Sequence, residues 1–243
     1  MAGTTTAALD LPPLLDAVAA PRGGTVLQRA IEGAASHRFE AGTFLHRIGP
    51  ERVSFALVME PEVEASRAAA MLMLAQVAIA DAVAAIAPPE TTLALRWSGD
   101  VLLNGAVAAT LAGAMAACRD DEVPDWLAVG AIMRLVDERE GGTDPGRTTL
   151  RAELGHAAEP TALLEAIARH WMLWLHRWES EGLAPIARQW SSRAVDAGQE
   201  VEAGGSHGRF AGLDDDGGAV LTGEGDAHVL PALSLWRRES TGP

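Results

Sequence analysis

The chain has 243 residues, 48% hydrophobic and 21% charged, a balance that supports a folded core and excludes a disordered chain. Its 33 acidic against 19 basic residues leave a net charge of −14, the wrong sign for a surface that tracks a nucleic-acid backbone. Every base is arginine, which excludes chemistry that needs a lysine, such as a Schiff base or a Walker-type phosphate loop.

In chain order, Leu11 to Leu15 contains Pro12 and Pro13 and reads as irregular. Val26 to Ala35 places Leu27, Ala30, Ile31 and Ala34 on one helical face. Glu40 to Leu45 and Val53 to Met59 read as strands around a turn at Ile48–Glu51. A long apolar helix spans roughly Val63 to Ile86, stopped by Pro88 and Pro89. Its most apolar stretch, Ala68 to Ala80, is too short to span a bilayer, and a buried core helix is expected. Thr92 to Trp97, Val101 to Leu103, Val107 to Cys118 and Trp126 to Val136 form a run of antiparallel strands, with Asn104–Gly105 as a hairpin turn. Thr149 to Leu154 reads as a short helix. Pro160 to Glu181 is amphipathic, with a core-facing stripe of Trp171, Trp174 and Trp178 ended by Gly182. Pro185 to Ala194 reads as one more helix. Short apolar pairs between Gly and Asp turns follow, the pattern of a small all-β unit. The expected division is 1–190 and 191–243.

Isolated motifs carry little chemistry. Gly204–Gly205–Ser206–His207–Gly208 has the G-x-S-x-G spacing of a nucleophile elbow, but the strand that follows makes it a hairpin turn. Asp214–Asp215–Asp216 lacks the alternation and closing Glu of a calcium loop. The seven histidines show no metal-ligand spacing, so no metal is expected. Cys118 is the one cysteine. It excludes a disulfide framework, fits a reducing cytoplasm, and is a candidate acyl nucleophile beside Arg119. Met1 to Asp10 lacks the basic and apolar regions of a signal peptide.

A collinear set of blocks is more specific. Leu95–Arg96–Trp97–Ser98–Gly99–Asp100–Val101 through Gly105 resembles the K-W-P-N-D-(V/I)-x-x-(D/N)-G block of biotin protein ligases. Trp126 to Ile132 resembles the W-x-x-x-G-I-G-I-N strand, Thr148 to Gly155 the T-S-L-x-x-x-x-G segment, and Gly182 to Trp190 the exit from the long helix. Gly208 to Gly217 resembles the hairpin of the small C-terminal barrel. The chain thus resembles the biotin/lipoate protein ligase family from roughly Thr25 to Pro231. The resemblance implies an α+β fold: a mixed, mostly antiparallel sheet with helices packed on it, plus a small C-terminal all-β barrel. It implies ATP and biotin or lipoate as cofactors, and a biotin- or lipoyl-carrier domain or a small acyl ligand as partner. Neither nucleic acid nor membrane is expected.

Residue by residue, the resemblance implies Arg96 and Asp100 as catalytic, and Gly42, Thr43, His46, Arg47, Trp97, Ala109, Gly130 and Arg134 as ligand-binding. The family's G-R-G-R-x-G-R adenylation loop is reduced here to Gly42–Pro50, and its Lys before the Trp is Arg96, which keeps the charge but not the point geometry. The K-V-A-G-I-L strand becomes Ala106 to Leu111 without its Lys, and the Asn closing G-I-G-I-N is Arg134. Few pre-placed cations remain where phosphoryl charge would develop. The expectation is a ligase-like protein that binds a biotin- or lipoyl-type acid or its carrier, with adenylation weak or lost. The alternative is a divergent active biotin–protein ligase or lipoyl/octanoyl transferase.

Overall fold

The computed structural model describes residues 9–136, 144–203, 206–223 and 227–239. A main sheet runs in the order β1-β2-β3-β7-β6-β5-β4. Its strands are β1 (Asp16–Ala19), β2 (Thr43–Ile48), β3 (Arg52–Met59), β4 (Leu93–Leu95), β5 (Asp100–Leu103), β6 (Ala106–Ala116) and β7 (Leu127–Arg134). Neighbours along this order are antiparallel except β1 and β2, which pair parallel. Leu11 to Leu15 is irregular as expected, a turn closed by the Leu15 N–H to the Pro12 oxygen. The edge strand β1 follows it, a strand the sequence reading did not assign, and Asp16 to Ala19 pairs with Thr43 to His46.

One face carries a single helix, α1 (Val26–Ala35). Thr25 caps it, its Oγ1 accepting the N–H of Gln28 at 3.0 Å. Val26, Leu27, Ala30, Ile31 and Ala34 pack on Leu45, Ala56, Val58, Ala114 and Ala128. Gly130 makes this possible, because a Cβ there would stand 2.9 Å from Leu27 Cβ and 3.2 Å from the Phe55 oxygen.

The opposite face is covered by α3 (Met71–Ala84) and α5 (Pro160–Glu181). The predicted helix 63–86 is shorter and divided: α2 (Ala65–Ala68) precedes α3. The apolar run 65–84 is long and apolar enough to cross a membrane, yet 83% of it is buried inside the fold, as a core helix is. Trp171 and Trp174 are buried as expected. Trp178 is half-buried at the edge. α4 (Leu150–Leu154) and α6 (Ala184–Ser191) complete the helices.

A second, four-stranded antiparallel sheet contains β8 (Glu200–Ala203), β9 (Ser206–Leu213), β10 (Ala219–Thr222) and β11 (His228–Leu230), in the order β11-β10-β9-β8. Ser206 pairs with Ala203 across the β8–β9 hairpin, so the G-x-S-x-G serine opens a strand rather than a helix; Gly204 and Gly205 lie outside the described residues. The chain's last strand departs from the expected 191–243 unit. β12 (Trp236–Glu239) returns to the main sheet and pairs parallel with β6. Trp236 drives this: its ring lies over Gly113, where a Cβ would stand 2.6 Å away, and its Nε1 donates to the Ala69 oxygen at 3.0 Å.

Candidate functional site

Strand register aligns five side chains across the α1 face. Arg47 on β2 stands opposite Ser54 on β3, Ser54 opposite Ile132 on β7, Ile132 opposite Thr110 on β6, and Thr110 opposite Asp100 on β5. The two-residue alternation of a strand places them on the same face as the residues that carry α1. The row lies beyond the edge of that helix and is open: Ile132, 38% exposed, is an apolar side chain between two hydroxyls. The next row adds Arg52 opposite Arg134.

A cleft of about 440 Å³ lies at the N-terminal end of α1, lined by Thr25, Arg47, Glu51, Arg52, Ser54 and Ile132. Arg47 donates to the Gly24 oxygen at 2.9 Å and to the Pro21 oxygen, clamping the loop that enters α1. Among the described residues, none of Arg47, Arg52 and Arg134 has a carboxylate within ion-pair distance. Arg52 and Arg134 also face each other directly across adjacent strands, an arrangement that repels unless an anion sits between them.

The other end of the row is neutralised. Arg96 donates to Asp100 at 2.9 Å and lies 3.7 Å from Asp196, and Asp100 also accepts the Thr110 hydroxyl at 2.9 Å. The turn is held from below by buried Gln76, which donates to the oxygens of Arg96 and Asp100 and accepts from Trp190. Asp196 is largely buried. That burial raises its carboxyl above the ordinary range, opposed by the Trp97 N–H and Arg96 and reinforced by Asp100. Four strand spacings of about 4.8 Å put this end roughly 19 Å from Arg47.

The structure separates the other sequence-predicted residues. His46 follows Leu45 on β2 and faces the α3–α5 side, opposite Phe55, where burial lowers its pKa. Adjacent strand residues point to opposite faces, so His46 cannot share a cleft with Arg47. Ala109, opposite Val101 and Met133, is buried on that same far side. Trp97 is core: its N–H donates to Asp196 and its Nε1 to the Gly217 oxygen, tying the small sheet to the turn. Thr43 is buried and bonds the Glu40 oxygen. Gly42 lines a different cleft, beside Leu14 and Leu15. Gly130 lies under Leu27 of α1, not at an open surface. Cys118 follows β6 by two residues, eight beyond Thr110, or roughly 26 Å along an extended strand. Burial raises its thiol pKa, outweighing Arg238, and the neighbouring acids add to the rise; a protonated thiol is a poor nucleophile. No group of three metal-ligating side chains is found among the described residues.

Sequence reasoning missed Ser54, Thr110, Ile132 and Arg52. Stepping two residues back from Arg134 reaches Ile132. Locating Ser54, Thr110 and Arg52 needed the register.

The match to known proteins agrees with this architecture. The sequence profile of the Biotin/lipoate A/B protein ligase family matches residues 11–192. A Paracoccus denitrificans protein named Biotin--[acetyl-CoA-carboxylase] ligase is 31% identical over 188 residues, covering 74% of this chain and 78% of its own. A biotin protein ligase-like protein of unknown function from Silicibacter sp. TM1040 superposes with a TM-score of 0.88 at 33% identity, over 95% of this chain and all of its own. The biotin protein ligase of Aquifex aeolicus in complex with biotin shares the fold, with a TM-score of 0.70 at 17% identity over 90% of this chain and 96% of its own. The chain belongs to the biotin/lipoate A/B protein ligase family.

Proposed function

We propose that this chain binds a small carboxylic acid of the biotin or lipoyl type in the cleft at the N-terminus of α1, without activating it as an adenylate. The carboxylate would lie by Arg52, which lines the cleft, and by Arg134 opposite it on β7, with Arg47 and the positive end of α1 adding to the field. The apolar body would rest on Ile132 between the hydroxyls of Ser54 and Thr110.

The observation that carries the reading is the division of the cations. Acyl adenylation must hold a carboxylate and a triphosphate together, with positive charge placed where negative charge develops. Here the arginines that have no acidic partner among the described residues gather at one end, while Arg96, in the position of the family's lysine, is neutralised by Asp100 and Asp196 at the other. The segment in the place of the adenylation loop supports the same reading. Phe44–His46 pairs with β1 and β3, Arg47 and Ile48 pair with β3, and Gly49 to Glu51 is a tight turn. Neither strand nor turn is free to fold over a reactive intermediate.

A second reading, an active biotin–protein ligase or lipoyl/octanoyl transferase acting on a carrier domain, draws on the name of the Paracoccus relative. Arg52, which no motif flags, also makes the loss of cations smaller than the motifs imply. Thermal shift and calorimetry with biotin, lipoate and octanoate test the first reading. At least one acid is expected to raise the melting temperature without ATP, since binding to the native state alone stabilises it. Arg52→Ala or Arg134→Ala should weaken that binding at least 10-fold. Pyrophosphate release that depends on the acid, or no response to any of the three, would overturn it.

A further inference from the structure

We propose that a second cleft, on the α5 face, is a binding site for an organic amine with an apolar body. The cleft is about 750 Å³ and lies at the Met59 end of β3, on the opposite face and at the opposite end of that strand from the arginine-edged cleft. Cavities of this size accommodate small-molecule ligands. Its walls are Met59, Met71 and Met172, whose unbranched thioethers adapt to an apolar guest, with Leu175 and the ring of Trp178.

The lip is fixed in place. Leu14, 74% exposed, overhangs the opening on the turn closed by the Leu15 N–H to the Pro12 oxygen. That turn sits against Gly42, whose backbone N–H bonds Val58 and whose oxygen accepts from Asp16. Gly42 has φ of 88°, and a Cβ there would stand 2.3 Å from the Leu14 oxygen, so only glycine lets the lip lie this close.

The charge at the rim selects the ligand's head group. Glu60, Glu62 and Glu179 line the mouth, all exposed, and none has a cation within ion-pair distance among the described residues. Arg67 is the one base lining the cleft among the described residues. Trp178 and Glu179 lie in the last turn of the 22-residue helix α5, whose carbonyl end also favours a cation. Trp178 lines the cleft as well, and an indole ring attracts a cation. Three features therefore point to an ammonium group: the acids, the helix end and the indole.

The test compares octylammonium with octanoate, ions of equal chain length and opposite charge, followed by ¹³C-methyl NMR of the methionines. Met59, Met71 and Met172 report this cleft alone, so octanoate bound in the arginine-edged cleft does not confuse the result. Octylammonium should shift those three methyls saturably, with an apparent affinity at least 10-fold above that of octanoate. The exposed-residue variant E60Q/E62Q/E179Q should abolish the preference while keeping the wild-type spectrum elsewhere. Equal or stronger response to octanoate, no response to octylammonium, or a preference that survives the triple variant would each overturn the proposal.

Discussion

The two faces of the main sheet are built from alternate residues of the same strands, yet they are covered to different extents. The α3–α5 face is sealed at its centre: Phe44 stacks on Phe55 at 5.1 Å, and Trp171 meets Phe55 edge-on at 6.1 Å with no exposure. The other face has only the ten-residue α1, which covers the rows containing Leu45, Ala56 and Gly130 and leaves the next row open. The side chains change where the cover ends. Leu45, Val58, alanines and Gly130 lie under the helix; Arg47, Ser54, Ile132 and Thr110 lie beyond it. A sheet face with incomplete cover can serve a ligand, and on this face the polar residues begin where α1 stops.

The largest test of that contrast is mutational. Trp171→Ala should cost about 3–5 kcal/mol in urea denaturation, as truncation of a fully buried aromatic does. Ile132→Ala on the open row should change stability by roughly 0.5 kcal/mol or less. Similar costs for the two would break the contrast. Gly130→Ala comes next, at about 1–3 kcal/mol, because its Cβ would crowd Leu27 and lift α1.

A pH experiment sharpens the comparison further. Burial lowers the pKa of His46 on the sealed face, so below the ordinary value of 6.5 the unfolded chain takes up a proton that the native state resists. Stability should fall as pH drops below 6.5, by at most about 1.4 kcal/mol per pH unit from this group. His46→Gln should flatten that part of the curve. An unchanged slope would mean that His46 is accessible to solvent protons. The smallest effect is Arg52→Ser, which relieves a like-charge pair with Arg134 and should leave stability unchanged or raise it by a few tenths of a kcal/mol while weakening acid binding. A clear loss of stability would give Arg52 a structural role.

Much of this architecture was legible in the sequence because it rests on local patterns. The α1 and α5 periodicities, the Asn104–Gly105 turn and the prolines after residue 87 each act within a few residues. The positions of β1 and β12 were not legible. Both are short edge strands that owe their place to distant partners, Thr43–His46 for one and Gly113 beneath Trp236 for the other. The candidate site divided in the same way. Motif matching brought out Arg47, Asp100 and Arg134, which the register places on one face, and Arg96, which joins them through its ion pair with Asp100. It also brought out His46, Trp97 and Ala109, which strand alternation and core packing turn away. A motif names positions along the chain, whereas a cleft is assembled across strands, so Ser54 and Arg52 emerged only from the pairing of β2, β3 and β7.

The most direct measurement is ATP–pyrophosphate exchange by the purified chain with biotin, lipoate or octanoate, run beside calorimetry on the same samples. Heat of acid binding with no exchange above the acid-free background is the expected result. Exchange that requires the acid and disappears in Arg96→Ala would show that the guanidinium held between Asp100 and Asp196 still serves adenylation, and would contradict the account.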